Sequence, residues 1–146
     1  MKDGYPEKQE LDLIKHWSYR DVFKLLDYLY DLWNYNDWGF KEEWKYNHLF
    51  KRDELKVNLS TGGWSGNEDL IEALLENEYV KLLWYNKWER GGHYEFIINP
   101  EQIGFKTVSE YCKKNKVSRQ YVNQTKNRFD WIIISEKKRL LRPKNL

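Results

Sequence analysis

The feature that most constrains this chain is a break at Asn99-Pro100, where the balance of charge reverses. Residues 101–146 hold 12 Lys/Arg against 4 Asp/Glu, a net of +8, whereas residues 1–100 hold 13 against 19, a net of −6. Proline lacks the N–H a strand ladder needs, so it ends the alternating pattern before it. Two opposite charge regimes in 146 residues predict an acidic, aromatic-rich module over 1–100 and a basic one over 101–146. A block of positive charge at one end suggests a polyanion partner there, with a solvated basic tail as the plainer alternative.

Composition removes several classes. Hydrophobic residues make up 40% and charged residues 33%, a folding rather than a disordered balance. Aromatics reach 17%, with 8 Trp and 11 Tyr, so large amphipathic rings must be buried or presented to a partner. No run approaches the roughly 18 apolar residues of a membrane helix. The stretch Met1 to Lys8 lacks the apolar core of a secretion signal. Cys112 is the one cysteine, which excludes an intramolecular disulfide, and with only His16, His48 and His93 beside it a zinc site is not expected. Neither metal nor cofactor is expected, and the expected location is cytoplasmic, the host cell's cytoplasm if the chain is phage-encoded. Abundant Lys, Asn and Tyr fit an AT-rich genome such as that of a phage or a low-GC bacterium.

The acidic part reads as helix, loop, strand, helix and hairpin, an α+β layer with a small antiparallel sheet and packed helices. Ser18 to Asp21 has capping-box spacing, and Val22, Phe23, Leu25, Leu26, Leu29, Leu32 and Trp33 follow at helical spacing. This helix is expected to end near 34–39. The aromatic stretch Phe40, Trp44, Tyr46 and Phe50 reads as short helix or loop. Leu55, Val57 and Leu59 alternate with Lys56, Asn58 and Ser60, a half-buried strand. Thr61 to Gly66 turns the chain, and Ser65 with Glu68 predicts a second capping box before the stripe Leu70, Ile71, Leu74, Leu75. Residues 79–88 and 93–99 read as two strands around Gly91-Gly92, with Tyr94, Phe96 and Ile98 on one face.

The basic part reads as a helix-turn-helix with a wing. Thr107 to Glu110 is a third capping box, opening a helix to about Asn115. Ser118 caps a second helix running from Arg119 to about Arg128. Tyr111, the small Cys112, Val117 and Val122 sit where the two helices must meet. Phe129 to Ser135 with Leu140 and Leu141 predicts a two-stranded wing, turned at 135–138. With Val117-Ser118-Arg119-Gln120-Tyr121-Val122, the stretch Thr107 to Leu141 resembles winged helix-turn-helix DNA-binding segments of the excisionase and MerR-like kind. The resemblance implies that Arg119, Gln120, Asn123 and Gln124 face base edges, and that Lys126, Arg128, Lys137, Lys138 and Arg139 contact phosphates. Independently of the family, Arg pairs bidentately with guanine, and Asn or Gln with adenine, in the major groove. The turn usually has Gly where Lys116 stands and an apolar residue where Asn115 stands. Asn tolerates the left-handed conformation better than most residues, so the turn is expected one position early.

Ser60 to Glu68, with its Thr-Gly-Gly-Trp-Ser run, and Arg90-Gly91-Gly92-His93-Tyr94 resemble a family of small uncharacterised phage and prophage proteins over roughly residues 54–99. The resemblance implies a mobile-element origin and no particular activity. The Gly62–Gly66 loop is either a structural turn or an anion site on backbone N–H groups. It is not a Walker loop, lacking Lys-Ser/Thr after the glycines, nor a nucleophile elbow, since Gly66 follows Ser65 directly. His93 beside Arg90 and Tyr94 is either a cross-strand surface residue or an acid/base group. Gly62, Gly63, Trp64, Trp38, Trp44 and His93 form the candidate partner or ligand surface. Trp33, Tyr35, Trp38, Phe40, Trp44 and Tyr46 exceed the needs of one small core.

The leading expectation is a non-enzymatic, phage-type regulatory or accessory protein reading duplex DNA. One reading helix binds weakly, which favours a homodimer, although no heptad seam is present. One rival is an inhibitor of a host defence protein such as a nuclease, in the manner of an anti-CRISPR. The other is an enzyme or nucleotide-binding module built on the Gly62–Gly66 loop.

Overall fold

Leu55, Val57 and Leu59 are buried while their neighbours are half-exposed, the signature of a strand with one covered face. That strand is the second of the N-terminal unit. The computed structural model describes residues 1–144, and the chain divides into two compact units, Met1–Asn99 and Pro100–Leu146.

In the N-terminal unit, helices α1 (Lys8–Lys15) and α2 (Val22–Leu32) and a single helical turn, α3 (Asn36–Gly39), lead into strands β1 (Phe40–Asn47) and β2 (Arg52–Ser60). Helix α4 (Ser65–Glu76) and the hairpin of β3 (Tyr85–Glu89) and β4 (His93–Ile98) complete it. The antiparallel sheet has the order β1-β2-β4-β3. The apolar stripe of α2 closes with Leu74, Val80, Trp84 and the inner residues Val57, Leu59, Phe96 and Ile98 around a residual void of about 20 Å³, too small for a ligand. Helix α1 packs on α4, with Ile14 fully buried and Lys15 paired to Glu76 at 3.0 Å.

The α+β class and the small antiparallel sheet are as the sequence indicates; several details differ. Residues 40–47 are a strand, not helix or loop. The side chains of β1 do alternate, but charged residues occupy both faces of this edge strand and hide the period. Ser18 makes no side-chain cap; a 3-10 turn (Tyr19–Asp21) precedes α2. Trp64, not Ser65, is the N-cap of α4, and Ser65 is its first helical residue. Residues 80–84 wind as a π-turn instead of extending, because the Asn77 Oδ1 accepts from the N–H groups of Tyr79 and Val80 and starts the chain coiling. Only Tyr85–Glu89 remains of the expected first hairpin strand. Helix α1 has no counterpart in the sequence reading.

In the C-terminal unit, β5 (Lys106–Thr107), α5 (Val108–Asn115), α6 (Arg119–Gln124), β6 (Phe129–Ser135) and β7 (Lys138–Pro143) follow in order, with sheet order β5-β7-β6. Its core is Val122, Phe129 and Leu141, against which Val108, Tyr111, Cys112, Val117 and Trp131 pack. Helix α6 is shorter than expected: a separate 3-10 turn covers Lys126–Arg128. Among the described residues no helix is long and apolar enough to cross a membrane.

Candidate nucleic-acid interface

Local capping fixes both helices of the C-terminal unit. The Thr107 hydroxyl accepts from the Glu110 N–H at 3.1 Å, and the Ser118 hydroxyl accepts from the Tyr121 N–H at 3.0 Å. Each satisfies one of the donors that a helix start leaves open. Between the helices Lys116 is the residue in the left-handed region, at φ 55° and ψ 45°. The turn is therefore not displaced to Asn115, whose side-chain amide instead donates to the Tyr111 carbonyl at 3.0 Å.

Val122 is fully buried, so the residues on the far side of the same short helix are held outward. Arg119, Gln120, Asn123 and Gln124 are all exposed and share that face. The Arg119 guanidinium donates to the Ser109 hydroxyl on α5, which steadies the side chain while leaving its other N–H groups available. Arg139 on β7 donates to the Asn123 Oδ1 at 3.4 Å and lies 4.7 Å over the Trp131 ring. That contact ties the β6–β7 hairpin to α6. Lys126 and Arg128 are exposed on the 3-10 turn, Lys137 is exposed at the hairpin tip, and Lys138 is half-buried.

Three basic residues outside the sequence-derived set acquire distinct roles. The ammonium of Lys114 on α5 reaches Lys106 on β5 and, together with desolvation, holds Lys106 below the ordinary lysine range, against the opposing pull of Glu110 and Glu101. No spacing rule could have found the pair, because a two-residue strand creates it. Arg142 is structural: it is buried, donates to the Ile103 carbonyl at 2.9 Å and pairs with Asp130 at 3.2 Å.

The candidate surface of the N-terminal unit does not come together as one patch. Trp44 sits on the helix-covered side of the sheet, stacked on Phe23 at 6.1 Å. His93 faces the other side, where its Nδ1 bonds to the Ser60 hydroxyl at 2.8 Å. The polar groups around it satisfy one another, Lys56 with Glu95 and Lys87 with Glu89, each at 3.0 Å, along a shallow depression of about 260 Å³. Burial would raise the Glu95 carboxyl, but Asn86, Lys56 and Lys87 hold it below its ordinary value. Gly62 and Gly63 are exposed in the left-handed region, and the Trp38 ring lies against Gly62. Trp64 instead stacks on Tyr5 at 5.1 Å and donates to the Gly4 carbonyl at 3.1 Å. The N–H groups of Gly63 and Trp64 are directed to Thr61, at 3.4 and 3.0 Å, which favours the structural-turn reading over an anion cradle.

Compared with known proteins, the chain matches no family model, no curated protein and no solved structure.

Proposed function

We propose that the C-terminal unit is a winged helix-turn-helix that binds duplex DNA, and that the protein acts as a small transcription regulator or accessory factor of a phage or prophage. The observation that carries this reading is the outer face of α6. Four side chains of base-reading type, Arg119, Gln120, Asn123 and Gln124, stand exposed there while Val122 anchors the opposite side. The surrounding segment carries a net charge of +8, the source of a salt-dependent phosphate attraction. In this reading Lys126, Arg128, Lys137, Lys138 and Arg139 position the helix on the backbone, and the α6 face discriminates bases.

The test is a salt titration of binding to random duplex DNA and to the promoter region of the protein's own gene, for wild type and for Arg119→Ala/Gln120→Ala. Promoter preference that weakens with salt and disappears in the double variant is the expected result. Absence of binding to any duplex at low salt overturns the reading. A second reading, an inhibitor that docks on a host defence protein, is favoured by exposed rings of the acidic N-terminal unit such as Tyr35, Trp38 and Phe50. It predicts a stable complex with a host protein that survives the Arg119→Ala/Gln120→Ala change.

A further inference from the structure

Strand β1 is hydrogen-bonded to β2 on one side only, so alternate N–H and C=O groups along its other side face out of the sheet. It is long for an edge, 8 residues from Phe40 to Asn47, in continuous register with β2 and without proline or glycine. We propose that this edge is the interface between two copies of the chain, paired antiparallel about a two-fold axis through Trp44.

Charge complementarity selects both the occupant and the register. A two-fold axis perpendicular to the sheet pairs only residues that lie on the same face, hence residues of equal parity. Within one copy Lys45 lies 3.8 Å from Glu43, both exposed at the edge. Centred on Trp44, the pairing sets Glu43 also against the partner's Lys45 and Lys45 against the partner's Glu43, so that the four charges alternate in sign, with Lys41 opposite the partner's Asn47. Centred on Glu43, it sets Glu43 against itself and Lys41 against Lys45. Centred on Lys45, it sets Lys45 against itself. Centred on Glu42, it also opposes Lys41 to the partner's Glu43, but it sets Glu42 against itself and shortens the overlap to Phe40–Trp44. Directly opposed like charges weaken a strand pair and opposite charges strengthen it, so the register on Trp44 is the one the sequence of β1 favours.

A second observation converges on the same partner. Two exposed apolar clusters flank β1 at its two ends. Tyr35 and Trp38 before it are 65% and 56% exposed, and Leu49 and Phe50 after it are 81% and 60% exposed. Antiparallel pairing brings each end of β1 to the opposite end of the partner's β1, so the Leu49–Phe50 tip of each copy approaches the partner's Trp38. The tip is already ordered: the Asn47 Oδ1 accepts from the N–H groups of Leu49 and Phe50, both at 3.0 Å, and Arg52 lies 4.7 Å over the Phe50 ring. A preformed tip loses little freedom on docking. The result is a continuous eight-stranded sheet, two copies of the four-stranded one, with the helices of both on one face. The interface lies wholly within the N-terminal unit and stands whatever the C-terminal unit binds.

Sedimentation equilibrium of the full chain tests this, with circular dichroism confirming that each variant is folded. Wild type is expected to dimerise. Lys45→Glu is expected to raise the dimer dissociation constant about tenfold or more, because both charge pairs become repulsive. The swap Glu43→Lys/Lys45→Glu is expected to restore it to near wild type. A wild type that stays monomeric, a dimer indifferent to Lys45→Glu, or a swap no better than the single variant overturns the proposal. A measurement on wild type alone uses an equal mixture of isotope-labelled and unlabelled protein, treated with a zero-length carbodiimide. A Glu43–Lys45 linked peptide bearing one label from each copy supports the interface, and its absence among the linked peptides overturns it.

Discussion

Asn67 holds the Gly-rich loop of the N-terminal unit with three hydrogen bonds. Its amide nitrogen donates to the carbonyls of Asn34 at 2.9 Å and Thr61 at 3.3 Å, and its amide oxygen accepts from the Asn34 N–H at 2.9 Å. The side chain is 1% exposed, so removing it leaves buried backbone groups without partners. Asn67→Ala is expected to lower stability by about 2–3 kcal/mol, read as an earlier urea transition of the N-terminal unit by residue-resolved amide exchange. An unchanged transition sinks this account of the motif. Gly92 belongs to the same device: its carbonyl accepts from the Thr61 N–H at 3.0 Å, and a Cβ there would overlap the Thr61 hydroxyl. The motifs Ser60–Glu68 and Arg90–Tyr94 are thus two sides of one loop contact. The sequence marks both as unusual, but it cannot say that they meet, because the pairing of β2 with β4 brings residues about thirty positions apart together.

At the scale of elements, the two short helices α5 and α6 were the most legible part, because their signals are local. Thr107 and Ser118 cap the helices that follow them, and each bond spans three residues. Where the signal is not local, reading along the chain failed. In β1 the inward positions include Glu42 and the outward ones Lys41, Glu43 and Lys45, so an edge strand shows alternation without the apolar–polar contrast that reveals β2. Residues 80–84 failed for the opposite reason: a run of apolar residues fits strand and helix alike, and a side chain outside the run, Asn77, decided. The turn itself offers a test. Lys116 takes the left-handed conformation that a glycine would occupy without strain, at a cost of about 1 kcal/mol. Lys116→Gly is therefore expected to stabilise the C-terminal unit by about 0.5–1 kcal/mol, seen as slower amide exchange in residues 108–124. Faster exchange there would mean that the Lys116 side chain contributes more than its backbone costs.

At the scale of the whole molecule, the reversal of charge at Asn99-Pro100 coincides with the division into two units. The acidic unit pairs some of its charges, such as Lys15 with Glu76, Arg52 with Glu54 and Lys56 with Glu95, and is left with an excess of carboxylates, whereas the basic unit concentrates cations beyond its carboxylates. The Lys106–Lys114 contact is the sharpest case, since it opposes like charges and so disfavours the free protein. If a DNA phosphate occupies that site, it relieves the repulsion and lets Lys106 return toward its ordinary value. Two readouts follow. Each phosphate contact contributes about 0.9 to the slope of log affinity against log salt, so losing this one shared phosphate in Lys106→Ala/Lys114→Ala should flatten the slope by about 1 and weaken specific and random duplexes alike. Arg119→Ala/Gln120→Ala should instead remove the preference while leaving most of the slope. The linkage has a definite sign: a lysine held low in the free protein and raised in the complex takes up a proton on binding. Affinity should then fall as pH rises through the depressed free-state value, and this fall should vanish in Lys106→Ala. A slope and an alkaline profile both unchanged in the double-lysine variant would place the phosphate path elsewhere on the unit, along Lys126, Arg128 and the hairpin tip.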